Sequence, residues 1–358
     1  MKKNYVFIAV LLWLGLAACD STPTTTSSMA PQLIQGETMG TYYRVTFRAE
    51  KEAITQRELD SLLVALNMEV STYIPEALIS RFNYGDLRAI DAETLQAATH
   101  FKANLELALA MAQQTNNYFN PTVMPLVNYW GFGYTPKKPV TAVDSMAIDS
   151  LMQFVGLDKI DYDPVIVAPS AIQLDKESPG TQLDFSAIAK GYGVDLLAQH
   201  LESRGIEHYL VDIGGEVVAK GMKDEEGTPW RIGIAIPREE AAPTDMQVAV
   251  PLRDAAIATS GNYRNYYEVN GQKFSHTINP FTGYPERSQL LSASILAANC
   301  ATADGLATAC MVAGLDKAYE MIDEMPGVEG YFIYGDETGA LQVKKTKGFA
   351  ALQEEAAQ

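Results

Sequence analysis

The stretch His208–Lys220, HYLVDIGGEVVAK, holds two short, mostly apolar runs around a pair of glycines. The runs His208–Ile213 and Glu216–Lys220 predict two β-strands, because each is short and rich in β-branched and other apolar residues. Gly214 and Gly215 between them permit a tight turn and a close approach of the backbone to a ligand. The stretch therefore predicts a strand pair whose turn is consistent with either a plain hairpin or a wall against a flat ligand.

Helices dominate the chain before this stretch and strands follow it. A capping box at Thr55–Glu58, with leucines at helical spacing after it, predicts the first helix. The other predicted helices are Ala92–Gln114, Asp144–Val155, Ala187–Arg204, Ala303–Ala313 and Leu315–Glu324. The other predicted strands are Gly40–Phe47, Trp230–Ile236, Gln247–Val250, Ala256–Ser260 and a hairpin around Asn270-Gly271. This grouping predicts a single α+β domain, with antiparallel sheets flanked by helices.

The composition is that of a folded, acidic protein. The 358 residues are 47% hydrophobic and 20% charged, which excludes a disordered, collagen-like or coiled-coil chain. The formal net charge of −17 repels phosphate backbones, so nucleic acid is not an expected partner. An anionic ligand such as a nucleotide would need a local basic group or a metal ion to receive it.

The first residues have the pattern of an export signal. Lys2 and Lys3 precede the apolar run Val6–Ala18, which is too short to span a bilayer comfortably. The ending LAAC predicts a lipobox with Cys19 as the lipidated residue, although a plain signal peptide with a chance cysteine has the same pattern. The predicted organisation is a signal peptide over residues 1–18, a lipidated flexible tether over 19–32 and one folded domain over 33–350.

The segment Asn299–Thr308, NCATADGLAT, predicts two oxygen ligands on one helix face. If the helix begins near Thr302, Asp304 lies in its first turn and Thr308 lies one turn later on the same side. A carboxylate and a hydroxyl are hard oxygen ligands that suit Mg²⁺. An acidic residue in a first turn also complements the helix dipole without any ligand, so both interpretations stay open.

The segment Asp184–Asp195, DFSAIAKGYGVD, places charged residues at the start of a predicted helix. Asp184 stands just before that helix, and Lys190 lies within its first two turns. A lysine near the positive end of a helix can receive a phosphate group or a sugar-alcohol hydroxyl. An N-cap aspartate and a solvated lysine would have the same pattern, and the glycines do not complete a dinucleotide-binding fingerprint.

The segment Ser275–Gly283, SHTINPFTG, places a histidine before a turn that contains proline and glycine. His276 at the end of a predicted strand is well placed for acid–base chemistry. A lone histidine is more often structural, and that interpretation also stays open.

Several motifs occur together in an order that one family shares. These motifs are Met39-Gly40-Thr41, Asp184–Asp195, Asp212–Glu216, His276–Gly283 and Ala303–Thr308. In this order they resemble the ApbE family of FAD:protein FMN transferases, many of which are lipoproteins on the outer face of the bacterial inner membrane. The resemblance runs from about Leu33 to Lys347, nearly the whole chain after the predicted tether.

The resemblance implies an enzyme that uses Mg²⁺ and FAD. It would split the pyrophosphate of FAD and transfer FMN to a threonine hydroxyl of a partner protein, leaving a phosphoester bond and AMP. The implied partners are flavin-carrying subunits of membrane redox pumps, and the implied location is the periplasmic face of the inner membrane, with the lipid on Cys19 as the anchor. Two other functions stay open, a Mg²⁺-dependent FAD pyrophosphatase and a non-catalytic flavin-binding lipoprotein.

The resemblance also implies roles for individual residues. Asp304 and Thr308 would hold Mg²⁺ with the backbone carbonyl near Ala187, and His276 and Asp304 would be the catalytic residues, with His276 as the base. The implied FAD-binding residues are Met39, Tyr73, Tyr118, Phe119, Asn120, Asp184, Lys190 and Ile278. The chain departs from the family at Asn120, where relatives usually have aspartate, and at Ala77, where they usually have serine.

Overall fold

The computed structural model describes residues 31–49, 53–85, 87–135, 143–165, 168–238, 245–262, 266–269 and 272–355. The predicted signal peptide, Cys19, most of the predicted tether and the turn Asn270-Gly271 lie outside the described residues. Within the described ranges, no helix has both the length and the apolar character needed to cross a membrane.

Strands and helices alternate irregularly along the chain. The strands are β1 (Pro31–Thr38), β2 (Thr41–Arg48), β3 (Ala89–Asp91), β4 (Ile160–Tyr162), β5 (Ile172–Lys176), β6 (Tyr209–Ile213), β7 (Glu216–Lys220), β8 (Trp230–Ala235), β9 (Met246–Leu252), β10 (Ala255–Gly261), β11 (Tyr266–Val269), β12 (Gln272–Ser275), β13 (Leu290–Ala297), β14 (Glu329–Gly335) and β15 (Leu341–Lys345). The helices are α1 (Gln56–Val70), α2 (Leu78–Tyr84), α3 (Ala92–Ala97), α4 (Thr99–Gln114), α5 (Met124–Tyr129), α6 (Ser145–Met152), α7 (Ser186–Ser203), α8 (Cys300–Ala313), α9 (Leu315–Asp323) and α10 (Lys347–Glu355). The named strands pair in antiparallel fashion, and the predicted α+β class is confirmed.

One eight-stranded antiparallel sheet forms the frame of the domain, in the order β1-β2-β6-β7-β10-β13-β14-β15. In β2, Tyr43, Val45 and Phe47 are buried beneath the helices, while the residues between them are more exposed, as the period of two in a strand requires. The predicted pair β6–β7 is confirmed. Its turn places Gly214 at φ 62° and Gly215 at φ 102°, a backbone conformation that favours glycine.

Helices α1, α7 and α8 cover one face of this sheet. Helix α8, CATADGLATACMVA, consists mainly of small residues and is buried around nearly its whole circumference. It therefore packs closely against α7 on one side and β10 and β13 on the other. The β8–β9 pair and α10 cover the opposite face, where Trp230, Val250 and Phe349 form an apolar cluster with Ile257 and Ile333.

Two predicted helix boundaries differ from the structure. The predicted helix Ala92–Gln114 is two helices, because the chain leaves the helical conformation at Ala98 (φ −88°, ψ 70°). Helix α8 begins at Cys300, where the Asn299 side chain accepts a hydrogen bond from the backbone N–H of Thr302. Asp304 therefore lies in the second turn of α8, and the predicted position in the first turn is wrong.

Some elements have no counterpart in the sequence analysis. Strand β1 lies at the edge of the large sheet, and its exposed and half-buried residues alternate with few large apolar side chains. The short strands of the separate β3-β5-β4 sheet are too brief for a period-two pattern to develop. Neither feature carries the strong apolar alternation from which strands are predicted.

Candidate active site

A cavity of about 990 Å³ opens beside the large sheet. Apart from Cys19, which lies outside the described residues, every site residue implied by the family resemblance lines this cavity. These residues are Met39, Tyr73, Tyr118, Phe119, Asn120, Asp184, Ala187, Lys190, His276, Ile278, Asp304 and Thr308. The fold thus brings together motifs that lie far apart in the chain.

One wall of the cavity is formed by turns and strand ends on one side of the large sheet. In an antiparallel sheet, every second strand ends on the same side. The β1–β2 turn with Met39, the β6–β7 turn with Gly214 and the end of β10 with Ser260 therefore lie together and line the cavity. Met39 has φ 50°, a conformation uncommon for a residue other than glycine.

Helices α7 and α8 approach each other closely at Gly191. Its backbone N–H donates to Oδ2 of Asp304 at 3.0 Å. In a regular α-helix that N–H points at the carbonyl of Ala187, so the carboxylate of α8 takes part in the hydrogen bonding of α7. A Cβ atom at position 191 would lie 2.4 Å from the carbonyl oxygen of Cys300, and only glycine leaves room for this contact.

Asp195, one turn further along α7, holds the beginning of α8. Its two carboxylate oxygens accept hydrogen bonds from the backbone N–H groups of Cys300 (2.8 Å) and Ala301 (2.9 Å). The first N–H groups of a helix have no partner within the helix, so this carboxylate satisfies two of them. The position of Asp304 is therefore set from α7 at two points.

The buried carboxylate of Asp195 leads to a prediction about stability. Burial raises the pKa of Asp195 from 3.8 to about 6, although the N–H groups of Ala301 and Cys300 oppose the shift. The folded state therefore binds a proton on the Asp195 carboxyl group more tightly than the unfolded state does. The stability that this proton contributes is complete below about pH 3.8 and is lost as the pH rises through about 6. The unfolding free energy of the wild type minus that of Asp195→Asn should fall by up to about 3 kcal/mol between about pH 4 and 6.5.

Urea titrations of both proteins across this pH range measure the difference. Groups shared by the two proteins cancel in the subtraction, so the remaining pH dependence belongs to Asp195. A difference that grows with pH would contradict the prediction.

Two buried carboxylates share one ammonium group at the base of the cavity. Lys190 forms an ion pair with Oε1 of Glu216. Burial alone would lower the pKa of Lys190, but Asp304 and Glu216 raise it above its ordinary value. Burial raises the pKa of Glu216 to about 7, with Lys190 opposing and Asp304 reinforcing the shift. Burial also raises the pKa of Asp304, against the opposing charge of Lys190.

Glu216 is a cavity residue that the sequence analysis does not assign to the site. Its side chain is buried, and its Oε2 atom has no hydrogen-bond partner among the residues that the structure describes. One sequence feature could have indicated Glu216. It lies directly after the glycine pair, at the start of a strand, where an acidic residue is unusual. The pairing with Lys190 was not accessible from the sequence, because 25 residues separate the two in the chain.

The oxygen atoms near Asp304 suit a magnesium ion. The Asp304 carboxylate is 3% exposed and lines the cavity with the hydroxyl of Thr308, which lies 3.2 Å from the hydroxyl of Ser260. No group of three or more His, Cys, Asp or Glu side chains gathers as a metal cluster within the described ranges. A carboxylate, a hydroxyl and a backbone carbonyl are hard oxygen donors, and the unpartnered Oε2 of Glu216 adds a further buried acceptor nearby.

The two departures from the family pattern have visible local effects. The Oδ1 atom of Asn120 accepts hydrogen bonds from the backbone N–H (2.9 Å) and the hydroxyl (2.6 Å) of Thr122, so this side chain closes a local turn. Ala77 is the N-cap of α2 and forms no side-chain cap. A serine there would supply the missing acceptor.

Aromatic and acidic groups line the remainder of the cavity. Tyr118 contacts Phe281 edge to face, with ring centroids 5.4 Å apart, and His276 contacts Phe132 in the same way at 6.3 Å. Oδ1 of Asp184 accepts a hydrogen bond from the N–H of Ser186 at 2.8 Å, and burial raises the pKa of this carboxyl. Flat apolar rings beside a few polar groups suit a ligand with an aromatic ring system.

Comparison with known proteins relates this geometry to one family. A model of the ApbE family matches residues 39–332. The FAD:protein FMN transferase of Haemophilus influenzae is 35% identical over 356 residues, which cover 97% of each chain. The enzyme of the same name from Vibrio cholerae is 36% identical over 322 residues, covering 88% of this chain and 89% of its own.

Solved structures show the same similarity. The flavin transferase ApbE from Vibrio cholerae superposes with a TM-score of 0.76 at 31% identity, covering 90% of this chain and 99% of its own. The apo form of the flavinyl transferase ApbE from Pseudomonas stutzeri also gives a TM-score of 0.76, at 29% identity, with 90% and 96% covered. The similarity therefore extends over the whole described domain and is not confined to the motifs.

Proposed function

This chain belongs to the ApbE family, and on that premise we propose that it transfers FMN from FAD to a hydroxyl group of an acceptor protein, with release of AMP. The observation that carries the proposal is the cavity of about 990 Å³, into which the fold gathers the family's motif residues. Its size lies at the upper end of the range of about 300–1,000 Å³ for small-molecule sites, as a dinucleotide requires. The similar proteins named above bear this activity in their names.

In this proposal Mg²⁺ is held by Asp304, Thr308 and the backbone carbonyl of Ala187. The bound ion supplies positive charge to the pyrophosphate and to the phosphate that leaves. The support for this set is chemical: a buried carboxylate and a hydroxyl on one face of α8, opposite the first turns of α7. Asp304 and the backbone of α7 are already joined through the Gly191 N–H at 3.0 Å.

The acceptor in this proposal is a threonine. Its hydroxyl oxygen attacks the phosphorus atom of the FMN half of FAD and forms the new phosphoester bond. The bond from that phosphorus to the bridging oxygen breaks, and AMP leaves with the bridging oxygen. His276, which lines the cavity, accepts the proton of the hydroxyl.

Replacing His276 with glutamine should slow transfer about a hundredfold or more, because the hydroxyl then loses its general base. Binding of FAD should persist, since the other cavity residues are unchanged. Single-turnover mass spectrometry of the acceptor gives the rate, and flavin fluorescence gives the FAD affinity. His100→Gln is the matched control, because His100 lies outside the cavity, where it contacts the hydroxyl of Tyr192. A wild-type rate in His276→Gln would remove His276 from the mechanism.

We infer the acceptor and the location from the sequence pattern at the start of the chain and from the family resemblance. The proposed acceptor is a flavin-carrying subunit of a membrane redox pump. The proposed location is the periplasmic face of the bacterial inner membrane, where acyl chains on Cys19 would anchor the domain through the tether 19–32. The support is the basic and apolar pattern of residues 1–18 and the LAAC ending.

Intact-mass spectrometry tests the proposed function. The full chain in detergent is mixed with FAD, Mg²⁺ and a candidate flavin-carrying subunit, and both proteins and the nucleotides are followed. A gain of one FMN on the acceptor, lost when Mg²⁺ is chelated, supports the transferase. Free FMN and AMP with an unmodified acceptor would indicate a pyrophosphatase, and intact FAD would indicate a binding protein.

A further inference from the structure

The charges that face the cavity are predominantly negative. Among the described residues that line it, Lys190 is the only lysine or arginine. Asp184, Glu216 and Asp304 line the same cavity, so one ammonium group stands against three carboxyl groups. The pyrophosphate of FAD is itself an anion, and this lining does not favour its entry on electrostatic grounds.

The single ammonium group is already engaged. Lys190 is paired with Glu216, and the two side chains are 33% and 4% exposed, respectively. Both side chains line the cavity, and the lysine is the more exposed of the two. Within the described ranges, Oε2 of Glu216 has no hydrogen-bond partner, so the carboxylate retains acceptor capacity beyond its bond to Lys190.

We propose that Glu216 makes tight nucleotide binding depend on a divalent cation, by neutralising Lys190 so that the cavity holds a pyrophosphate tightly only when a cation is bound. This inference rests on the proposed function and deepens it. A lysine without a paired carboxylate would attract a phosphate by itself. When Glu216 balances the charge of this lysine, the attraction for the phosphate has to come from the cation near Asp304.

Glu216 therefore acts through Lys190 and is a positioning residue. The physical reason is Coulombic: opposite charges within a few ångströms in a partly buried site cancel much of their field at a third group. Removing the charge of Glu216 restores the field of Lys190 inside the cavity. The nucleotide should then bind more tightly in the absence of the cation. This expectation concerns binding and does not depend on the role of the cation in the transfer step.

Equilibrium binding of FAD tests this without any turnover. Flavin fluorescence of the full chain in detergent gives the dissociation constant for FAD in EDTA and in saturating Mg²⁺. For the wild type, Mg²⁺ should tighten FAD binding by about tenfold or more. For Glu216→Gln, binding in EDTA should tighten by about tenfold, so the effect of Mg²⁺ shrinks by the same factor.

Glu202→Gln is the matched control. Glu202 forms an ordinary ion pair with Lys220 at 2.7 Å, at the other end of α7 and outside the cavity. This variant should reproduce the wild-type dependence on Mg²⁺. Calorimetric titration with Mg²⁺ alone shows whether Glu216→Gln still binds the cation.

The outcomes separate this inference from the proposed function. If the wild type binds FAD with the expected Mg²⁺ dependence and Glu216→Gln behaves identically, the role of Glu216 is wrong and the transferase proposal stands. If Glu216→Gln weakens FAD binding in EDTA, the carboxylate contributes in another way and the inference is also overturned. If the wild type binds no FAD under either condition, the proposed function itself is wrong.

Discussion

Asp304→Asn is expected to abolish FMN transfer and to remove binding of Mg²⁺. Asparagine keeps the shape of the side chain and an oxygen that accepts the Gly191 N–H, but it lacks the negative charge that a divalent cation needs. A bound metal ion contributes several kcal/mol to phosphoryl transfer, so the rate should fall by about 10³-fold or more.

The same change should leave the fold intact. Burial raises the pKa of Asp304, which means that burial opposes the negative charge of this side chain, while Lys190 favours it. A neutral amide at the position avoids this desolvation cost, so we expect transfer to be lost without unfolding. Urea unfolding of Asp304→Asn checks this expectation, because an unchanged free energy of unfolding separates a role in the chemistry from a role in stability.

Calorimetric titration with Mg²⁺ alone and single-turnover mass spectrometry of the acceptor measure the two effects of Asp304→Asn. Asp316→Asn, on α9, is the control, because this exposed acid pairs with Lys344 and lies outside the cavity. It should match the wild type in both measurements. Full transfer by Asp304→Asn at saturating Mg²⁺ would overturn the assignment of Asp304 as a metal ligand.

Gly191→Ala is expected to lower the free energy of unfolding by about 2 kcal/mol or more, even though alanine favours a helix over glycine by about 1 kcal/mol. The added Cβ would lie 2.4 Å from the carbonyl oxygen of Cys300 and 2.7 Å from Cα of Ala301. These are backbone atoms that cannot rotate away, so α8 must move from α7. The hydrogen bond from Gly191 to Asp304 would lengthen, and transfer should fall together with stability.

Gly193→Ala, two residues along the same helix, is the matched control. A Cβ there would lie 3.2 Å from Cδ1 of Ile213 and 3.4 Å from the side-chain ends of Leu66 and Met39. Flexible side-chain ends adjust by a few tenths of an ångström, so stability should be unchanged or slightly raised. Urea unfolding of both variants measures their free energies of unfolding. An equal decrease in the two would show that the close approach of α7 to α8 does not explain the destabilisation.

Much of the candidate site could be predicted because its residues lie in short local patterns. Asp304 and Thr308 are four residues apart, so any helix that includes both places them on one face. Both residues do lie in α8, although the predicted start of this helix was wrong. Asn299 and Thr302 are both able to cap a helix, and only the packed structure shows that Asn299 does so.

The sequence was less informative where spacing along the chain differs from proximity in space. The predicted helix Ala92–Gln114 continues its apolar pattern through Ala98, where the folded chain breaks. The ion pair between Lys190 and Glu216 joins a helix to a sheet turn, and no local pattern indicates it. Glu216 was therefore absent from the predicted site.

The capping box at Thr55–Glu58, the i, i+4 spacing of Asp304 and Thr308 and the turn at Gly214-Gly215 depend on neighbours in the chain, so the order of residues alone establishes them. The charge balance of the cavity depends on how closely α7 approaches α8 and the β6–β7 turn. That approach requires Gly191 against the backbone of Cys300, a contact between residues that are distant in sequence. Only the tertiary packing decides which carboxylates share Lys190, because burial and Coulombic interaction act through space and not along the chain.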